Sequence, residues 1–218
     1  MNNLSLLCLI INKKDERKTI KLLNKYNSNF KHIINCTGTA SSSLLEYFGL
    51  TEVEKKLIIS ITPNIISKHI LKELNTNINE PGKGIAFTIP ISSSVKYIND
   101  YYKGKEMEDI KMEDANKELI ITITTEGYAE NVMSAAKSAG ATGGTTINGR
   151  GLETEKIIKF LGISIEPEKD IVLILAPNDK RNDIMNKIVE KCGLKTPGKG
   201  ICFSLPVSHD IGLNKIIN

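Results

Sequence analysis

The sequence predicts an α+β protein of two tandem domains, each an antiparallel four-stranded sheet with helices on one face. Two observations carry this. The first is a repeat: Pro81-Gly82-Lys83-Gly84-Ile85 returns 116 residues later as Pro197-Gly198-Lys199-Gly200-Ile201. Extended to Ser92 and Ser208, the two twelve-residue segments share eight identical pairs. The second is that both halves read β-α-β-(short α)-β-α-β. A repeat has to be found before any element is placed, because it decides the number of domains. The 218 residues divide into a domain over 1–92, a linker over 93–117 and a domain over 118–218.

The elements follow in order. Leu4 to Ile11 is a nearly continuous apolar run and predicts a strand covered on at least one face. Ile20, Leu22, Leu23 and Tyr26 recur at helical spacing with lysines between, and Asn27-Ser28-Asn29 ends that helix. His32 to Cys36 predicts a second strand. The serines at 41–43 suit the cap of a short helix, Leu44 to Phe48. Leu57 to Ile61 predicts a third strand, and Pro63 fits the first turn of a helix carrying Ile65, Ile66, His69, Ile70 and Leu74. The Gly-Lys loop and a strand Ile85 to Ile91 close the first copy. Residues 93–117, with Tyr97, Tyr101, Tyr102 and a mixed-charge stretch, read as a solvated connector, with room for a short helix, whose tyrosines pack on a domain edge.

The second copy repeats the plan. Leu119 to Thr124 is a strand, and Tyr128 to Ala139 a helix with Val132, Ala135, Ala136 and Ala139 inward. Gly140 closes that helix. Thr145 to Asn148 is a strand, Glu153 to Phe160 a helix and Asp170 to Leu175 a strand. A helix over Asp179 to Cys192 turns Ile184, Met185, Ile188 and Val189 inward. Strand Ile201 to Val207 ends the copy. Two strand-helix-strand units joined in this way make the ferredoxin-like arrangement.

Composition narrows the function. Hydrophobic residues at 40% and charged residues at 25% are ordinary globular values. A net charge of +4 is too small to point to nucleic acid without a basic face. No apolar run approaches the length of a membrane span, and no secretory leader is evident at the start. The four cysteines, Cys8, Cys36, Cys192 and Cys202, include no C-x-x-C pair and fit a reducing compartment, so a cytoplasmic location is expected. His32, His69 and His209 are scattered, and Glu166 and Glu168 flank a proline. No catalytic constellation and no Walker-type phosphate loop are present, so the chain is not expected to be an enzyme.

Two glycine-rich segments remain. Glycines let backbone approach an anion closely, and a lysine or arginine among them adds charge. Gly198, Lys199 and Gly200, following Pro197, supply one set, and Asn148, Gly149, Arg150 and Gly151 a second. A lone Pro-Gly-Lys-Gly is ordinary turn chemistry. Its repetition, with Gly-Arg-Gly beside it, favours an anion site with both segments at the ends of neighbouring strands. In the first copy Gly82, Lys83 and Gly84 lack the arginine partner, because Asn35-Cys36-Thr37-Gly38 stands opposite Asn148 to Gly151. The second copy is therefore expected to hold the better site.

These residues resemble the P-II family of nitrogen regulatory, signal-transducing proteins in a tandem form. The resemblance rests on Ala141 to Gly151, Gly162 to Lys169 and Thr196 to Ile201, and more loosely on residues 4–92. It implies domains that assemble in threes, hence a homo-oligomer. It also implies ATP or ADP in clefts between domains, 2-oxoglutarate sensing and a target protein such as a transporter or enzyme; AMP is a further candidate effector, and no obligatory cofactor is expected. The segment between the second and third strands is short here and lacks the family's modified-tyrosine signature. Two alternatives stand beside this reading: a ligand-independent assembly module, and a divalent-metal-responsive trimeric protein.

Overall fold

The computed structural model describes residues 4–38, 53–78, 83–105, 107–151, 158–160, 163–165 and 168–212. The chain divides into two compact units. One comprises Met1–Asn35, Ser41–Asn116 and Pro206–Asn218, the other Cys36–Ala40 and Lys117–Leu205.

In the first unit, β1 (Leu4–Asn12) is central. It pairs antiparallel with β3 (Val53–Pro63) on one side and β4 (Gly84–Pro90) on the other. Strand β2 (Phe30–Gly38) neighbours β3. Helix α1 (Glu16–Lys25) follows a single 3-10 turn, Lys13–Asp15. It ends where Asn27 takes a left-handed φ of 52° and Ser28 N–H donates back to Leu23 O at 2.9 Å. Leu7, Leu9 and Ile11 of β1 alternate onto a core that includes Leu23 of α1 and Ile66, Ile70 and Leu74 of α2 (Asn64–Ile78). The intervening Cys8 and Ile10 are buried too, which is why the run lacks polar alternation.

Two parts of this unit differ from the sequence reading. The 93–117 segment holds a short helix and packs more deeply than an edge position would. Helix α3 (Lys96–Tyr102) buries Tyr102 completely, with its hydroxyl donating to Ile61 O at 2.9 Å and its ring edge-on to Phe30. Burial pushes the Tyr102 phenol up to about 12. At the other end of the chain, His209–Ile211 forms a short strand antiparallel to β4. His209 is buried there, its Nδ1 3.2 Å from Glu113 O. The predicted helix Leu44 to Phe48 lies outside the described residues.

In the second unit, β5 (Lys117–Thr125) pairs antiparallel with β9 (Glu168–Pro177), and β9 with β6 (Thr145–Arg150). Strand β10 (Ile201–Pro206) neighbours β5. Helices α4 (Ala129–Ser138) and α5 (Asn178–Cys192) bury Val132, Ala136, Ile184, Ile188 and Cys192 against Ile120, Val172 and Ile174. Gly140, at φ 98°, supplies the left-handed closure of α4. Val189 is half-exposed rather than inward, because the buried face of α5 runs through Ile184, Ile188 and Cys192 at four-residue spacing. The expected helix Glu153 to Phe160 also gives way at its end. Ile158–Phe160 is strand β7, paired antiparallel with β8 (Ile163–Ile165), while 152–157 lie outside the described residues.

The described elements thus form a mixed α+β structure. Among the first four strands the order is β2-β3-β1-β4, and in the second unit it is β6-β9-β5-β10. Numbered along the chain within each set, both read second, third, first, fourth, leaving aside the β7–β8 pair and β11 (His209–Ile211).

Candidate functional site

Residues from three segments gather at one end of the second unit's sheet. Thr125 stands opposite Lys169, and Lys169 opposite Gly149. Arg150 faces Glu168 in the same register. The Gly-Lys turn packs against the end of β5: Gly198 O accepts Thr125 N–H at 3.0 Å and the Thr124 hydroxyl at 2.7 Å. At a spacing of about 4.8 Å per strand, two strand steps separate Thr125 from Gly149, roughly 10 Å. The predicted segments therefore share a sheet end, but β5 and β9 lie between them.

The turn is built by close backbone contact. A Cβ on Gly200 would fall 2.5 Å from Cys192 O, and one on Gly198 would meet Tyr128 Cδ1 at 3.0 Å. Lys199 N–H donates to Thr196 O at 3.1 Å and Gly200 N–H to Cys192 O at 2.7 Å. These two donors close the turn, so they do not form the open nest that glycines can provide. What the turn presents outward is the exposed Lys199, on a left-handed backbone with φ 46°, beside the exposed Pro197.

Gly149 and Arg150 are the end of a strand, not a loop. Their pairing with Lys169 and Glu168 continues the β6–β9 ladder past the predicted limit at Asn148. Asn148 and Arg150 are exposed, and Gly151 follows the strand end half-buried. A Cβ on Gly149 would meet Ile171 Cδ1 at 3.2 Å, which accounts for the small residue there.

Asp170 is the organising group that sequence reasoning missed. Buried, it accepts Gly127 N–H at 2.9 Å and Ala129 N–H at 3.0 Å, fixing the turn from β5 into α4. Nearby, Glu168 raises the carboxyl of exposed Glu126 above its ordinary value by charge repulsion. The signal in the sequence was an aspartate opening an apolar strand, where a solvent-facing residue would be the first guess.

The first copy's loop is described from Lys83 onward; Pro81 and Gly82 lie outside the described residues. Gly84 is buried opposite Ile11 in the β1–β4 ladder, and Lys83 O accepts the Asn12 side-chain amide at 3.2 Å. Both Gly-Lys segments thus lead into β4 and β10, next to the ends of β1 and β5. Lys83 also lines a cleft of about 540 Å³ in the first unit. No group of three or more metal-ligating side chains occurs among the described residues, and no described helix is long and apolar enough to cross a membrane.

No protein-family profile matches the chain, and no curated protein matches it. Solved structures similar to it include a PII protein from Arabidopsis thaliana bound to citrate, 24% identical over 44% of this chain and 78% of that one, with a TM-score of 0.33. An anthrone oxidase-like protein is 10% identical over 100% of this chain and 96% of that one, with a TM-score of 0.24. The regulatory subunit of aspartate kinase from Thermus flavus is 10% identical over 88% of this chain and 94% of that one, with a TM-score of 0.27.

Proposed function

We propose that this chain is a duplicated ferredoxin-like regulatory protein that binds a phosphate-bearing small ligand and controls a target protein. The observation that carries the reading is the equivalent placement of two near-identical Gly-Lys loops. Each leads into the fourth strand beside the end of the first, within the same four-strand order. In the second unit this sets exposed Lys199 at the same sheet end as Arg150. Two cations at one sheet end, carried by segments with β5 and β9 between them, suit a ligand with separated anionic groups, and an adenine nucleotide is the proposed effector. The proposed target is a transporter or enzyme, in nitrogen metabolism or transport, approached from an oligomer with a trimer-like arrangement of domains in the cytoplasm. The role is regulatory, not catalytic: ligand binding acts by favouring one arrangement of the loops over another.

One observation favours a second reading, a ligand-independent assembly module: the Lys199 and Gly200 amides already close the turn internally. Calorimetry with ATP, ADP and AMP decides between them. Saturable binding that weakens in Lys199→Ala and Arg150→Ala supports the sensor. Absence of binding at millimolar nucleotide, with an oligomeric state unchanged in both variants, supports the assembly module.

A further inference from the structure

The first unit contains a cleft whose chemistry differs from the glycine segments. It measures about 540 Å³, within the range of small-ligand sites. Lys14, Lys18, Lys21 and Lys25 fall at i, i+4, i+7 and i+11, so the 3-10 turn and α1 present them as one stripe along the cleft wall. Lys83 of the Gly-Lys loop joins them. Five lysines therefore face two carboxylates, Asp15 and Glu73, in a protein whose whole net charge is +4. Glu73 is already engaged, receiving Lys25 Nζ at 2.7 Å and the Tyr26 hydroxyl at 2.8 Å, which hold its carboxyl below the ordinary value.

Three other lining residues, Ile11, Thr19 and Leu74, are buried. A concave surface on which lysines outnumber carboxylates five to two focuses a positive potential. The described lining includes no aromatic side chain on which a base could stack. We propose that this cleft binds a compact polyanion carrying three or more negative charges, of the polyphosphate or polycarboxylate type, without recognition of a nucleobase. The site goes beyond the nucleotide reading above and shares no residue with Lys199 or Arg150. It also assigns an anion site to the copy that the loop comparison ranked lower.

The test is titration calorimetry on the full chain with tripolyphosphate at physiological ionic strength, with citrate, orthophosphate and ATP as further arms. Lys14 and Lys21 are exposed, so Lys14→Gln with Lys21→Gln leaves the core intact. The double variant is expected to weaken tripolyphosphate binding by about tenfold or more, from loss of charge-assisted contacts. Lys199→Gln is expected to change it less than about twofold, a difference of under 0.5 kcal/mol. Citrate is expected to compete and orthophosphate to bind far more weakly. The proposal is overturned by absence of binding at millimolar tripolyphosphate, by equal loss in Lys199→Gln, or by unchanged affinity in the double variant. ATP binding more tightly than tripolyphosphate, with the same dependence on Lys14 and Lys21, overturns the assignment to a compact anion. Failure of Lys199-dependent nucleotide binding, by contrast, leaves this result untouched.

Discussion

Replacing Lys199 by glycine separates the role of its backbone from that of its charge. At φ 46° the residue is left-handed, a conformation costing a non-glycine residue roughly 1–2 kcal/mol. Glycine relieves that strain but loses about 0.5–1 kcal/mol through the greater freedom of its unfolded chain. The amide survives the change, so the bond from residue 199 N–H to Thr196 O, 3.1 Å long, is kept. The balance is a stabilisation on the order of 0.5–1 kcal/mol. At about 2–4 °C per kcal/mol for a chain of this size, Tm rises by roughly 1–4 °C. Lys199→Ala removes the same charge and keeps the strain, so it shows no such gain. Urea denaturation of all three proteins measures the difference, with an unchanged m-value confirming that the transition is comparable. A glycine variant no more stable than the alanine variant would falsify the reasoning, because the lysine side chain or the turn geometry would then stabilise position 199 by some other means. If glycine does stabilise, lysine there is less than optimal for folding, and its presence calls for a reason outside stability. Nucleotide titration of the same pair supplies that test.

Three further perturbations probe the frame around the sites. Asp170→Ala leaves the Gly127 and Ala129 amides without their acceptor and is expected to lower stability by about 2–3 kcal/mol, read by urea denaturation. Tyr102→Phe removes the bond to Ile61 O and should cost about 1 kcal/mol in the same assay, whereas a solvated connector would show no change. Glu118 is held below the ordinary carboxylate value by a hydrogen bond from Ser204 and then by Arg181. Its contribution is present above the unfolded value near pH 4.3 and is lost as pH falls through the lower folded value. Glu118→Gln should therefore cost a few tenths of a kcal/mol at neutral pH after solvent screening, with the gap to wild type closing in acid; an equal gap at pH 7 and pH 3 would argue against it.

What the sequence made legible is local. The run Leu4 to Ile11 announces a strand because its neighbours on both sides are other strands of the same sheet. Val132, Ala135 and Ala136 announce a helix face because helical period and burial coincide there. The departures arise where the deciding partner is distant. Tyr102 looks like an edge residue until Phe30 and Ile61 enclose it. His209–Ile211 pairs with β4 across about half the chain, and its short stretch carries no period of its own. Ile158, Phe160, Ile163 and Ile165 do alternate with Lys159 and Ser164, but so short a pattern is as easily taken for the end of a helix. For the glycine segments, their spacing along the chain says nothing of β5 and β9, which the ladder places between them.

The comparison of α1 with α4 shows how one strand order carries two different surfaces. Both helices follow the first strand of their copy and bury apolar residues beneath it: Leu23 in α1, and Val132, Met133, Ala135 and Ala136 in α4. Burial constrains only that inner stripe, and the outer positions are free to take any helix-compatible residue. In α1 they include Lys18, Lys21 and Lys25, with Arg17 and Asn24, whereas α4 carries a single lysine, Lys137. The same asymmetry runs the other way at the end of the second strand, where Asn148-Gly149-Arg150 stands against Asn35-Cys36-Thr37. Cys36 is buried where Gly149 is half-buried, and Thr37 is half-buried where Arg150 is exposed, so these positions do not simply exchange one surface residue for another. On the two proposals made above, a shared Gly-Lys loop would have its cations supplied by a helix in one unit and by a strand end in the other, giving anion surfaces of different shape. Those proposals together call for two different ligands, not two equivalents of one.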